Sequence, residues 1–291
     1  MRLNKKRRYG RWTLALILGL VALLFVLPMI LTVVNSFLSE EEISRSYGTA
    51  LGDPTATYME EKVVLKFIPD WVSGSQYVTV LLQSKVFLMK FWNSVLYAVP
   101  ITLLQVSVAA MAAYGFTRYR TRGRGVVFFL YIVLTIMPYQ VTLVPNYLVS
   151  RWMGIFDTPW AILLPGIFAP FGVYLLTTFM RRIPKEYMEA AQLDGAGEWC
   201  IFFKICLPQC KSALMAVGML IFFDYWNMVE QPLVLLRDDG LQPLSVYLSN
   251  INQEEVGVAF AAAVVYLIPS LLLFLHGERH LEEGIVTGGM K

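Results

Sequence analysis

Hydrophobic and polar positions are not mixed evenly along this chain. Long charge-free apolar runs alternate with short stretches that collect charge, glycine and proline. Five runs reach spanning length without a charged side chain: 12–39, 91–117, 125–150, 158–180 and 256–275. A membrane-crossing helix needs about 20 mainly apolar residues. A sixth run, 212–236, is equally apolar but is interrupted by Asp224 and Glu230. The pattern predicts an all-α membrane protein with six transmembrane helices, at about 12–38, 88–117, 125–149, 158–180, 212–236 and 256–275. Residues 1–291 then form a single transmembrane domain. The longest polar stretch, about 40–86, holds Gly48, Gly52, Pro54, Pro69 and Gly74 and few long apolar runs, so it reads as loop with short amphipathic pieces.

Composition supports the bilayer. The chain is 57% hydrophobic and 15% charged, with a mean hydropathy of +0.57, whereas soluble domains are nearer 45–50% apolar and 25% charged. The first run is too long for a secretory signal and is followed by no small-residue cleavage site, so it reads as a retained helix. The basic tail before it (Arg2, Lys5, Lys6, Arg7, Arg8, Arg11) leads straight into apolar sequence. That placement fits an anchor facing anionic headgroups rather than a nucleic-acid partner. Cys200, Cys206 and Cys210 have no His nearby and no common zinc spacing, so they read as small apolar fillers in a reducing compartment.

The positive-inside rule sets the orientation. One face receives six Lys and Arg from the tail, four from 118–124, five from 181–211 and two from the C-terminal end, seventeen in all. The other receives seven: Arg45, Lys62, Lys66, Lys85, Lys90, Arg151 and Arg237. Both termini and the segment 181–211 are therefore expected in the cytoplasm, the chain crossing the membrane several times.

Segment 181–211 is the most structured of the polar stretches. Pro184 suits a first helical turn, where its missing N–H has no partner to lose. Glu186 and Glu189 complement the helix N-terminus, and Gly195 ends the helix by tolerating a left-handed conformation. A second helical piece follows at 198–207, and Pro208 is expected to end it. Ala190 and Ala191 allow a partner surface to approach closely. Pattern alone leaves open a plain amphipathic loop lying on the headgroups.

The run IPKEYMEAAQLDGAGEWCIFFKICLP, residues 183–208, resembles the EAA loop of the permease subunits of binding-protein-dependent ABC importers. The matching positions are Glu189, Ala190, Ala191, Asp194, Gly195, Ala196, Ile205, Leu207 and Pro208. The style is closest to maltose-type carbohydrate permeases. W-N-x4-P-L at 226–233 and GIVTGGMK at 284–291 are similar to two further motifs of that family. Two positions depart from it: Ser212 stands where a proline often follows L-P, and Met290 replaces a small residue in the tail.

The resemblance implies a type I importer permease whose EAA loop is a coupling helix docked on a cytoplasmic ATPase. The implied transporter contains a second homologous permease, two ATPase subunits and an external or periplasmic solute-binding protein, and imports a carbohydrate, most simply an oligosaccharide. The chain has no G-x4-G-K-[ST] phosphate loop. It is accordingly expected to bind no cofactor and catalyse no covalent chemistry, with ATP and magnesium used by the partner ATPase.

Asp224 lies about 20 Å along a helix from Lys211 at 1.5 Å per residue, near mid-membrane, where an ionisable group faces a cavity or a partner. With Trp226 and Asn227 it is a candidate for the translocation path. The alternative is a packing role, with Asp224 protonated and bonded to Gln105 or Gln140. Glu230, near the outer end of the same span, reads as solvated or paired across a subunit interface. An ion-gradient transporter using Asp224 is the competing functional class, although the inverted repeats usual there are not evident. A non-transporting scaffold would leave the EAA segment without a purpose. Prolines 28, 100, 138, 145, 165, 170 and 269 fall within spans and are expected to kink them.

Overall fold

A computed structural model describes residues 2–51, 65–119, 121–250 and 256–289. Gly52 and Pro54 of the long polar stretch, and the last two residues of the tail motif, lie outside the described residues. Helices follow in the order α1 (Arg2–Asn35), α2 (Glu40–Leu51), α3 (Ser75–Val78), α4 (Lys85–Arg118), α5 (Arg124–Ile136), α6 (Tyr139–Trp152), α7 (Trp160–Ile167) and α8 (Pro170–Met180). They continue with α9 (Lys185–Leu193), α10 (Glu198–Ile201), α11 (Leu207–Gln209), α12 (Lys211–Trp226), α13 (Glu230–Leu235), α14 (Leu244–Ser249) and α15 (Val256–Gly289). No strand occurs among the described residues, in keeping with the all-α expectation.

Four helical stretches are long and apolar enough to cross a bilayer alone: Trp12–Asn35, Lys85–Arg118, Trp160–Met180 and Val258–Arg279. The count rises to six if two bent pairs each serve as one span. The pair α5 and α6 bends by 104°, at Met137 and Pro138, both in extended geometry. Pro138 has no N–H to continue the ladder, and the residue before a proline is pushed out of the helical region. The helix pair Glu198–Gln209 and Lys211–Trp226 bends by 76°. Pro100 and Pro269, in contrast, sit inside continuous helices.

The chain divides into two compact units. Unit one comprises residues 1–88 and 250–267. Most apolar residues of α1 from Trp12 onward are exposed, with Leu27, Leu31 and Val34 half-buried towards its end, as suits a helix whose solvent is lipid. Where α1 ends, Leu38, Ile43 and Tyr47 pack together against Phe260. The run Ser39-Glu40-Glu41-Glu42 forms a capping box at the start of α2: the Glu42 N–H donates to Ser39 Oγ (3.3 Å) and the Ser39 N–H to Glu42 Oε2 (3.3 Å). One of the short amphipathic pieces expected in this stretch is thus a capped helix. Glu42 also accepts from Lys66 Nζ (2.8 Å) and from the Asp70 N–H (2.8 Å). The Lys66 ammonium holds the Glu42 carboxyl down at about 2.

Unit two comprises residues 89–249 and 268–291 and contains the main core. Small residues let its helices approach closely. A Cβ on Gly172 of α8 would sit 3.0 Å from Ala109 of α4, and one on Gly166 of α7 would meet Ile101 at 2.9 Å. Lys90 of α4 is buried and pairs with Asp239 (2.9 Å), while Asn93 donates to the carbonyls of Gly240 and Gln242. The segment after α13 is thereby strapped to the start of α4. Asp157, at φ 60°, accepts from the Arg237 and Asp238 N–H groups at 2.7 and 2.9 Å.

Candidate coupling segment and translocation cavity

Helix α9 begins at Lys185, immediately after Pro184, and ends in a glycine-dependent cap. Gly195 adopts φ +81°. Its N–H donates to the Gln192 carbonyl (3.0 Å), and the Ala196 N–H reaches back to the Ala191 carbonyl (2.9 Å). These two bonds constitute a Schellman motif. A Cβ at Gly195 would meet nothing within 4 Å, so the demand for glycine is conformational rather than steric.

The two alanines do different work. Met188 is buried, and Ala191 and Ala196 pack with it against the core of unit two. Glu189, Ala190, Asp194 and Gly195 are exposed, and Leu193 is 90% exposed. The outward surface therefore presents a small residue, two carboxylates and a fully offered leucine. Burying a leucine side chain is worth about 1.5–3 kcal/mol, which makes Leu193 the strongest apolar contact α9 can offer a partner.

A residue missed at the sequence level joins this helix to a span. Glu198 at the start of α10 accepts from Arg118 Nε (3.2 Å to each oxygen) and Nη2 (3.0 Å), from the Tyr114 hydroxyl (2.5 Å) and from Gln192 Nε2 (3.1 Å). Arg118 and Tyr114 lie at the end of α4, and Gln192 lies in α9. One carboxylate thus braces the coupling segment against a membrane helix. The Arg118 guanidinium, followed by the Tyr114 hydroxyl, holds the Glu198 carboxyl below its ordinary value.

The second helical piece does not end at Pro208 as expected. It widens to a π-turn over Phe202–Cys206, passes through Pro208 in α11 and breaks at Cys210 (φ −96°, ψ 12°). The proline ring crowds the carbonyl four residues earlier, at Lys204, and the wider turn relieves it. Leu207 is half-buried against the core, and Pro208 is exposed. Cys206 and Cys210 are buried, but Cys200 is exposed and fills no core space.

Near the other end of α12 is a cavity of about 640 Å³, lined by Tyr139, Gln140, Phe223, Asp224, Asn227 and Glu230 among others. Asp224 is exposed to it, and Asn227 lines it while donating from Nδ2 to the Phe223 carbonyl (2.8 Å). Trp226 is elsewhere. It is 1% exposed, stacked on Phe222 at 5.4 Å and edge-on to Phe91 at 5.8 Å. Of the three residues read as path-lining, the structure brings two together and places the third in the core. Gln140 pairs with Glu230 (2.8 Å) rather than with Asp224, so Glu230 has a partner within its own chain. The Gln105 amide oxygen is buried without a partner. Among the described residues no cluster of three or more His, Cys, Asp or Glu is placed to hold a metal ion.

Residues 105–281 match the family model described as "Binding-protein-dependent transport system inner membrane component". The chain belongs to this family. The permease is 26% identical over 283 residues to the arabinooligosaccharides transport system permease protein of Halalkalibacterium halodurans, covering 96% of each chain. It is likewise 26% identical over 276 residues to the lactose transport system permease protein of Rhizobium radiobacter, covering 93% of each. Among solved structures it is similar to a bacterial ABC transporter involved in import of the acidic polysaccharide alginate, with a TM-score of 0.78, 25% identity and coverage of 94% of this chain and 96% of that one. The permease is thus the inner-membrane component of an ABC import system that depends on a binding protein. The ion-gradient alternative gains no support from these likenesses.

Proposed function

We propose that this permease is one half of the transmembrane pathway of an ATP-driven carbohydrate importer, and that α9 is its coupling helix. The observation that carries the reading is the capped, outward-facing α9 tied through Glu198 to the end of α4. A push on Leu193 and its exposed neighbours passes directly into a membrane helix. The partners are a second homologous permease, two cytoplasmic ATPase subunits that consume ATP and magnesium, and a solute-binding protein outside; the permease itself binds no cofactor. The seventeen-to-seven charge division supports a cytoplasmic position for both termini and α9. The substrate is an oligosaccharide, by likeness to the relatives, and Asp224 and Asn227 line its path. Aromatic rings, carboxylates and amides around one cavity are the groups that pair with sugar hydroxyls and C–H faces.

The test is Gly195→Val in the complete transporter reconstituted in vesicles. A β-branched residue at positive φ is a conformational outlier, with a cost of about 1–3 kcal/mol. ATP hydrolysis should persist while sugar uptake per ATP falls about tenfold, the factor for 1.4 kcal/mol. Gly195→Asn, which tolerates the left-handed region, should recover most of the uptake. Undiminished uptake by the valine variant would remove α9 as the coupling element.

A further inference from the structure

Beside the start of α9, near the Glu198 brace, is a second cavity, of about 600 Å³. Its walls are the last turn of α4 (Phe116, Thr117, Arg118), the first residue of α5 (Arg124), the end of α8 with the turn after it (Met180, Arg181, Ile183), and the start of α9 (Lys185, Met188, Glu189). Four cationic side chains and one carboxylate line it. Arg118 is already matched by Glu198. Arg181 is held in place by its guanidinium, 4.3 Å from the centre of the Phe128 ring, and Arg124 is steadied by one hydrogen bond from Nη1 to the Tyr119 carbonyl (2.9 Å). Both guanidinia retain further N–H donors. An ammonium and two guanidinia in one concavity suit a phosphate, which guanidinium forks bind bidentately.

Position decides which kind of phosphate. The charged walls are helix ends, where apolar spans stop. From Arg124 the exposed surface of α5 continues as Val126, Val127, Phe129 and Leu130, which are 65, 46, 61 and 52% exposed. A soluble phosphate has no use for that apolar strip, whereas a phospholipid covers it with its acyl chains. Basic pockets between span ends on the cytoplasmic side are suited to anionic headgroups. We propose that this cavity binds the headgroup of an anionic phospholipid, bridging the start of the coupling helix to the ends of α4, α5 and α8. The proposal rests on the cytoplasmic placement of α9 argued above.

The experiment measures binding of spin-labelled phosphatidylglycerol to the complete transporter in phosphatidylcholine nanodiscs. Each basic residue near an anionic surface contributes about fivefold in affinity. Arg124→Gln and Arg181→Gln should therefore each weaken the retained lipid about fivefold, while Arg122→Gln, outside the cavity, should not. Equal losses in all three variants would reduce the effect to general surface charge and overturn the site. Displacement of the labelled lipid by millimolar inorganic phosphate as readily as by unlabelled phosphatidylglycerol would overturn the lipid assignment in favour of a soluble anion. Sugar-stimulated hydrolysis retained by the variants in detergent shows that they are folded. A transporter that binds the lipid as expected but shows no sugar-stimulated hydrolysis in any membrane would refute the carbohydrate reading and leave this site standing.

Discussion

Neutralising Glu198 tests whether one carboxylate transmits force between the coupling segment and a span. Glu198→Gln keeps the volume of the side chain but replaces one acceptor oxygen by a donor. The oxygen that accepts hydrogen bonds from the Tyr114 hydroxyl and Arg118 Nε is lost, and the remaining bonds lose their charge. Hydrogen bonds to a charged group contribute about 1.5–3 kcal/mol when buried, and exposed ion pairs only about 0.2–1 kcal/mol. With the Arg118 and Glu198 side chains 21% and 37% exposed, the value should lie between these limits, at about 1.5 kcal/mol. A double-mutant cycle on Arg118→Gln and Glu198→Gln, read by thermal unfolding of the purified complex, should return a coupling energy of that size. Transport should change in step: about tenfold in the equilibrium between braced and released α9, measured as sugar taken up per ATP. Because the folded carboxyl is held below its ordinary value, its contribution is complete above that ordinary value. It should disappear as the pH falls through the lowered one, and the wild-type advantage with it. A coupling energy below about 0.3 kcal/mol, inside the range of independent sites, would refute the brace.

Three other outcomes are expected. Asp239→Ala removes the carboxylate paired with buried Lys90 and should cost about 1 kcal/mol of stability, because that carboxylate is itself 81% exposed and Lys90 keeps the Asp239 backbone carbonyl as an acceptor; adding Lys90→Met should restore much of it. Asp224→Asn should lower uptake per assembled complex and Asp224→Leu should lower it further, with no direct effect of an uncoupler while ATP is held constant; wild-type uptake by the leucine variant would take Asp224 off the path. A cysteine at Val72, 78% exposed, should react with an impermeant thiol reagent from outside while Cys200 does not, and the reverse labelling would invert the orientation.

What could be read before the structure was known was local. Pro184, Gly195 and the alanines mark the ends and surface of α9 because helix termini are specified by residues within one turn of them. Asp224 was visible as a charge in an apolar run. The remainder depended on distance in the sequence. Glu198 draws its partners from residues 80 and 84 positions away, and nothing in the local pattern separates it from an ordinary solvated glutamate. Trp226 lies two residues from Asp224, yet it faces Phe91 and Phe222 instead of the cavity, an outcome fixed by helix rotation rather than composition. The break at Pro138 was legible as a proline kink within the span, whereas its size, 104°, was not, because hydropathy averages over a window and both flanks are apolar. The Ser39–Glu42 capping box, with Ile43, Tyr47 and Leu51 behind it at helical spacing, is a local signal that marks α2.

That break has a consequence for how the protein enters the membrane. At 1.5 Å per residue, α5 and α6 are each only about 20 Å long, against roughly 30 Å of hydrocarbon. Neither half can partition into lipid as a stable span, and the backbone groups freed between them need shelter from the acyl chains. Insertion of this region is therefore not a decision the nascent segment makes alone. It waits for a later arrival, and α8, which packs closely on α5, is the element that seals it. A truncation ending after Trp152 would leave residues 124–152 at the interface, so the third crossing is made retrospectively.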